Sequence, residues 1–321
     1  MQKTLAALAV AIVINAFPQA AISQESYPSR PITVIVPLTA GSQLDILARG
    51  LVDGMSKLSS QPFVVVNRDG AASTIGVGAV ARAKPDGYTV GFGADGAFVI
   101  QPFLRNDLNY ALDEFEFVCQ TNNTMLAFMV GPKSPYKSVG DLIDAARKSP
   151  GTLNYGTVGH ATSFHLLAES IALEAGVKWN HIPFRVVGDM VSQTLNGTLD
   201  FTVSVPNTLN AGGGAIRGLG ITGDGKVPNI PPVPLLRDMG YKYSAPPSVI
   251  GMYAPKGMPA DSLAWLRNAC ARAVESPGFV ANSVKTLTGI SYADSASYAR
   301  EVMRGNREIG ELIRKLNITA Q

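Results

Sequence analysis

The stretch Pro31-Ile-Thr-Val-Ile-Val-Pro-Leu-Thr-Ala-Gly-Ser-Gln-Leu-Asp45-Ile-Leu-Ala-Arg49 decides how this chain folds. Ile32 to Val36 is a β-branched run of the kind that forms a buried strand, and Pro37 ends it because proline cannot continue a hydrogen-bonded ladder. The small residues 39–42 then make a short loop. Beyond it Leu44, Leu47, Ala48 and Leu51 recur at helical spacing, with Ser42 as N-cap and Asp45 three residues later in the capping-box position. A helix that starts directly above a strand points its first unpaired backbone N–H groups into the space over the sheet, which suits an anion. Thr39, Ala40, Gly41 and Ser42 are therefore candidate ligand contacts. Asp45 is a weaker candidate, because a carboxylate repels a bound anion unless a donor pairs with it.

The same alternation continues in both directions. Residues 63–66 read as a strand, 67–74 as a loop, 75–83 as a helix and 88–92 as a third strand, the pattern of a parallel sheet with crossover helices. Residues 115–130 are apolar and extended, with no helix before Gly131-Pro, and lead into a second domain. There helices are expected at 139–148, 164–175 and 188–196, and strands at 152–155, 179–184 and 200–205; residues 211–217 and 218–222 complete the unit. The proline-rich piece 227–234 is a surface loop, 249–254 a second crossing strand, and the chain from Pro259 is helical to near its end, broken at 276–278 and around Gly289. The expected fold is α/β and two-lobed, each lobe a mostly parallel sheet flanked by helices. Residues 24–126 with 247–321 form one lobe and 127–246 the other, with a ligand cleft between them. The loop 156–163 repeats the first device in the second lobe, making Gly159, His160, Thr162 and Ser163 candidate contacts. Asp95, Arg185 and Asn207 complete the set.

At 321 residues, 46% hydrophobic and 16% charged, the chain is long and apolar enough for two packed cores. Residues 1–23 read as a secretory signal peptide: Lys3 is the positive start, 5–17 the apolar segment and Ala21-Ile-Ser23 a small-x-small cleavage site. The apolar run falls short of the roughly 20 residues a membrane span needs. Removing residues 1–23 takes one base, Lys3, and no acid, so 27 − 24 = +3 becomes 26 − 24 = +2. With basic residues scattered and that balance near neutral, nucleic acid is excluded as a partner. Cys119 and Cys270 lack metal-type spacing and are either a disulfide or two buried thiols. No cysteine follows the cleavage site, so no lipid anchor is expected.

Three patterns in the sequence bear on catalysis or a cofactor. Gly76-Val-Gly78-Ala-Val-Ala81 loosely matches a dinucleotide fingerprint, with Asp95 near the place of a ribose-binding acid. Such a glycine turn should directly follow its strand, and Gly76 lies about nine residues beyond Asn67. Ser163, His165 and a distant aspartate suggest a hydrolase, but no G-x-S-x-G elbow is present, and residues two apart on a helix face different ways. His160, His165 and His181 lack the i,i+4 spacing of a helical metal pair, so each is expected to be satisfied or exposed on its own. No cofactor and no metal are expected.

The pieces Tyr27-Pro-x-x-Pro31-Ile-x-x-x-x-Pro37, Ala40-Gly41-x-x-x-Asp45-x-x-Ala48-Arg49, Asn67-Arg68-x-Gly70-Ala71, Ile75-Gly76, Pro85-Asp-Gly-Tyr-Thr89, Leu153-Asn-Tyr-Gly156, Thr162-Ser163-x-His165-Leu166, Ile182-Pro-Phe184 and Leu195-Asn-Gly197 before Asp200 follow one another in this order. In them the chain resembles the Bug, or TctC-type, solute receptors, periplasmic binding proteins of the tripartite tricarboxylate transporter family. The resemblance implies a Venus-flytrap cleft that binds a small carboxylate largely through backbone amides. It also implies delivery to membrane permease subunits, a monomeric receptor and a periplasmic address. An exported esterase using Ser163 and a sensory receptor are the alternatives. The sequence departs from the family at the cleft: Ser42 follows Gly41 where a second glycine is usual, and Ala72-Ser73 replaces two glycines. Phe184-Arg185-Val186 replaces Tyr-Lys-Gly, and Ser248-Val-Ile-Gly251 replaces an aromatic-rich strand.

Overall fold

The structure, a computed structural model, describes residues 27–223, 229–242 and 248–319, so the expected signal peptide lies outside the described residues. Strand β1 (Ile32–Val36) is almost wholly buried, as its β-branched run requires. Helix α1 (Gln43–Ser56) lays Leu44, Leu47, Ala48, Leu51 and Met55 against the sheet. Then come β2 (Phe63–Asn67), α2 (Thr74–Ala81) and β3 (Thr89–Ala94), and β1 pairs in parallel with both β2 and β3. Two short helices, α3 (Gly96–Val99) and α4 (Gln101–Leu104), precede β4 (Phe115–Thr124).

Between β4 and β5 (Ala127–Val130) stand only Met125 and Leu126, and there the chain leaves the first sheet for the second. The second lobe adds α5 (Val139–Lys148), β6 (Asn154–Val158), α6 (Ser163–Ala175), β7 (Asn180–Phe184), α7 (Val187–Asn196), β8 (Phe201–Ser204) and β9 (Arg217–Ile221). Its strands are ordered β7-β6-β8-β5-β9. The return crossing falls on residues 243–247, outside those described. Strand β10 (Ser248–Pro255) then inserts between β3 and β4, and α8 (Ala260–Ala273), α9 (Pro277–Lys285), β11 (Gly289–Ala293) and α10 (Ser295–Leu316) finish the first lobe in the order β11-β4-β10-β3-β1-β2. Among the described residues no helix is long and apolar enough to cross a membrane.

The expected strand–helix–strand units supply the parallel pairs. The strands that cross between lobes, or enter without a crossover helix, add antiparallel ones, so both sheets are mixed. Strand β11 replaces the simple break expected around Gly289; it caps the sheet edge by pairing antiparallel with β4. The segment expected over 211–217 is the tail of a 3-10 stretch, Pro206–Gly214, kinked by left-handed Gly212 and Gly213.

The two cysteines form a disulfide from β4 to α8, with Cα atoms 6.6 Å apart inside the core that also holds Val34, Met252 and Leu266. One residue breaches the division between lobes. Leu166 of α6 is fully buried in the first-lobe cluster of Tyr298, Val302 and Ile309, docking α6 on α10.

Candidate ligand-binding cleft

On the first-lobe wall the loop after β1 is held by one carboxylate. Asp45 is buried, and its Oδ2 accepts from the Gly41 N–H at 2.9 Å and Arg49 Nε at 3.0 Å, while Oδ1 accepts from Asn67 Nδ2 at 3.0 Å. Asn67 Nδ2 also donates to Leu38 O at 2.9 Å. Burial alone would push the Asp45 pKa up; the bonds from Arg49, Gly41 and Asn67 outweigh it and hold the acid below the usual carboxylate range. Asp45 is thus a post for the loop, charged and already paired. The Gly41 N–H is committed to it, and the Ser42 N–H donates to Thr39 O at 3.2 Å, so the exposed Thr39 and Ala40 form the outward part of this loop.

The neighbouring loop carries strain. Ala71, Ala72 and Ser73 have φ of 46°, 53° and 75°, a left-handed run of three residues that all carry side chains. Backbone strain of this sort gathers at binding sites, and Ala71 and Ala72 do line a cavity. That cavity, about 350 Å³, is closed on the first-lobe side by those alanines with Gln101, Leu104 and Arg105, and on the second-lobe side by His160 and Ala161. Nothing in the sequence marks Gln101 and Arg105, which lie in a short helix and the turn after it. Arg105 forms a two-pronged pair with Asp107 at 2.9 and 2.7 Å, which leaves the cavity a guanidinium with its charge partly balanced.

The second-lobe wall is the loop after β6. Gly159 and Ala161 are left-handed, at φ 81° and 52°. Thr162 occupies the N-cap of α6, but its hydroxyl donates backwards to Val158 O at 3.1 Å instead of capping the helix. Ser163 is the first helical residue and half-buried; among the described residues it has no hydrogen-bonded histidine, so no base is placed to activate it.

His160, His165 and His181 come from a loop, a helix and a strand and form one group, where the sequence reading expected three separate residues. The rings continue a column that starts in the core. Phe201 stacks on Tyr155 (centroids 5.0 Å) and His181 on His165 (3.9 Å), while Tyr155 meets His181 (4.9 Å) at a tilt of 33° and His165 meets His160 (4.8 Å), which reaches the cavity, at 40°. One nitrogen from each histidine lies within 4.8 Å of the others. A tetrahedral metal needs its nitrogens about 3.3 Å apart with lone pairs converging. Here the His165 and His181 planes are 9° from parallel, so their lone pairs run side by side. Capturing a metal would require the rings to turn. Burial first, and neighbouring histidines second, push His165 down to about 3 and His181 to about 4, leaving both neutral at ordinary pH.

The remaining candidates are scattered. Asp95 is buried beneath the crossing strand, accepts from Ser248 Oγ at 2.5 Å, and is pushed up to about 6 by its burial; it ties β3 to β10. Arg185 is exposed after β7, and Asn207 is exposed in the segment after β8. Gly76 sits within α2, where an added Cβ would come within 2.6 Å of Arg68 O, so it serves helix–strand packing and not a phosphate turn.

Residues 47–318 match the tripartite tricarboxylate transporter family receptor, TctC. The chain belongs to that family. Curated relatives of this TctC-family chain include a UPF0065 protein of Pseudomonas sp. (strain P51), 30% identical over 92% of this chain and 88% of its own length. Protein BugT of Bordetella pertussis is 28% identical over 87% of each chain. Among solved structures, a TctC solute-binding protein from Polaromonas superposes with a TM-score of 0.81 at 26% identity, covering 90% of this chain and 100% of that one. The periplasmic binding protein BugD shares the fold, with a TM-score of 0.71 at 24% identity over 92% of this chain and all of its own. The TctC-family receptors are solute-binding proteins with a two-lobed fold, and not enzymes.

Proposed function

We propose that this chain captures a small organic carboxylate between its lobes in the periplasm and presents it to the membrane permease of a tripartite tricarboxylate-type transporter. The observation that carries this reading is the cavity walled by strained first-lobe and second-lobe loops, in a chain whose family is that of transporter receptors. Two structures of the same fold were solved with acids, one from R. palustris with adipate and one from Rhodopseudomonas palustris with malate. On this reading residues 24–126 with 247–321 and residues 127–246 move as two bodies about the crossings. Thr39, Ala40, Ser42, Thr162 and Ser163 border the ligand, with Gly41, Gly159 and Asp45 shaping their loops. Arg185 and Asn207 stand at the rim, and Arg185, having no ion-pair partner among the described residues, favours a second carboxylate on the ligand.

A thermal-shift panel of mono-, di- and tricarboxylates tests the reading. A ligand at 100 times its dissociation constant adds about 2.7 kcal/mol of stability, an upward shift of several degrees. A panel in which no carboxylate moves the melting temperature refutes the function proposed.

A further inference from the structure

The segment that follows β3 delivers one arginine to the cavity between the lobes. Phe103 and Leu104 of α4 pack against the core cluster of Phe98, Tyr298 and Ile309, and the Arg105 N–H donates to Gln101 O at 3.0 Å, so the backbone that carries Arg105 is fixed. Asp107 grips its guanidinium along one edge: Nε–H donates to Oδ1 at 2.9 Å and Nη2–H to Oδ2 at 2.7 Å. A guanidinium holds five N–H groups in one plane. The edge shared by Nη1 and the second proton of Nη2 therefore keeps two parallel donors, which a carboxylate fits with both of its oxygens. Among the described residues that edge has no hydrogen-bond partner. Asp107 is 69% exposed and does not line the cavity, and neither does any other acidic side chain among the described residues.

We propose that Arg105 is the inner anchor for a second carboxylate of the ligand, by which this receptor selects dicarboxylic acids over monocarboxylic acids of the same chain length. The proposal rests on the carboxylate-receptor reading and adds a residue and a class of acid. Arg185, which does not line the cavity, acts only from the rim. Gln101 stands beside Arg105 in the lining, and its side-chain amide, without a partner among the described residues, can donate to the same carboxylate. Leu104 and Ala72 on one wall and Ala161 on the other give an apolar surface for the carbon chain of the acid. The grip of Asp107 sets the guanidinium in one orientation before the ligand arrives, so little side-chain freedom is left to lose on binding. Closure of the second-lobe loop over the pair would exclude water and strengthen the attraction.

Calorimetric titration with matched pairs tests this: butanedioate against butanoate, pentanedioate against pentanoate, and hexanedioate against hexanoate. In the pair that binds best, the diacid is expected to bind at least tenfold tighter than its partner. Arg105→Gln should cut that ratio at least fivefold, and by more than Arg185→Ala does. A residue of merely structural importance would weaken both members of a pair alike and leave the ratio where it was. Arg105→Lys keeps the charge without the fork and should retain only part of the ratio. A smaller cut by Arg105→Gln in folded protein, the full parent ratio in Arg105→Lys, or equal affinities within every pair in the parent overturns the anchor and leaves the receptor reading standing. If no member of any pair binds the parent protein, the carboxylate reading falls and takes the anchor with it.

Discussion

Replacing Asp45 should weaken ligand binding although its carboxylate is already fully paired within the protein. Asp45→Ala deletes the acceptor for three donors: the Gly41 N–H, Asn67 Nδ2 and Arg49 Nε. A buried hydrogen bond to a charged group contributes about 1.5–3 kcal/mol, whereas the pairing with a half-exposed arginine adds under about 1 kcal/mol. Removing the buried charge relieves part of its desolvation, so the expected net loss is about 2–3 kcal/mol, read by thermal unfolding as a fall of roughly 4–12 °C. The loop 39–42 loses its post at the same time, and affinity for the acid that binds should drop at least tenfold by calorimetry. Asp45→Asn is the sharper variant. All three partners are donors, so the amide nitrogen of asparagine must face one of them, and asparagine should be nearly as damaging as alanine. The folded-state pKa of Asp45 is depressed, so its contribution is present above the unfolded value near 4 and is lost as pH falls through the lower folded value. The gap between parent and variant should accordingly close at strongly acidic pH. An asparagine variant within about 0.5 kcal/mol of the parent, with unchanged affinity, would refute the reasoning.

Asp95 should show the opposite pH dependence: its folded pKa is raised to about 6 by burial, so stability is gained as pH falls from about 6 to 4, and the buried charge costs roughly 3 kcal/mol above that window. Asp95→Asn should abolish this gain in unfolding experiments from pH 7 to 4, and an unchanged pH profile would contradict it. His165 and His181 are lowered instead, so the second lobe should lose stability as pH falls below about 6.5. Hydrogen exchange at pH 7 and 5 should show the β6–α6 loop loosening while the β3–β10 junction tightens. Ala72→Gly should raise stability by up to about 1 kcal/mol, since it relieves a left-handed alanine and returns part of the gain as unfolded-chain entropy; a fall in melting temperature would count against strain at that loop. The double variant Cys119→Ala, Cys270→Ala opens a span of 151 residues and should lose about 2–5 kcal/mol in guanidinium unfolding, with an unshifted midpoint as the contrary result.

Much of the fold could be read from the sequence because local chemistry and global architecture agree. The β-branched run before Pro37, the small loop and the helical repeat from Leu44 specify one strand–loop–helix unit, and the second lobe repeats it. What escaped the sequence depends on contacts between distant segments. The three histidines come together only because β6 and β7 pair in register, Tyr155 opposite His181, while α6 starts at the end of the loop after β6. Spacing rules written for one helix cannot see that. The disulfide was undecided because β4 and α8 are brought together only by the return of the chain as β10. Strand β11 was hidden between helices, with Ile290 and Tyr292 facing outward rather than into a core. The Asp45 network was half legible: the capping position identified the residue, but the claims of Gly41 and Asn67 on its oxygens appear only in three dimensions.

The bridge from Cys119 to Cys270 encloses every residue of the second sheet within one covalent ring. A single proteolytic cut anywhere between β5 and β9 therefore cannot release a fragment. The nicked chain would migrate as one band without reductant and as two with it, and its halves would remain within reach of each other to re-form the cleft. Tolerance to one cut across the second lobe thus comes from the same bridge, in addition to the stability it gives the uncut chain.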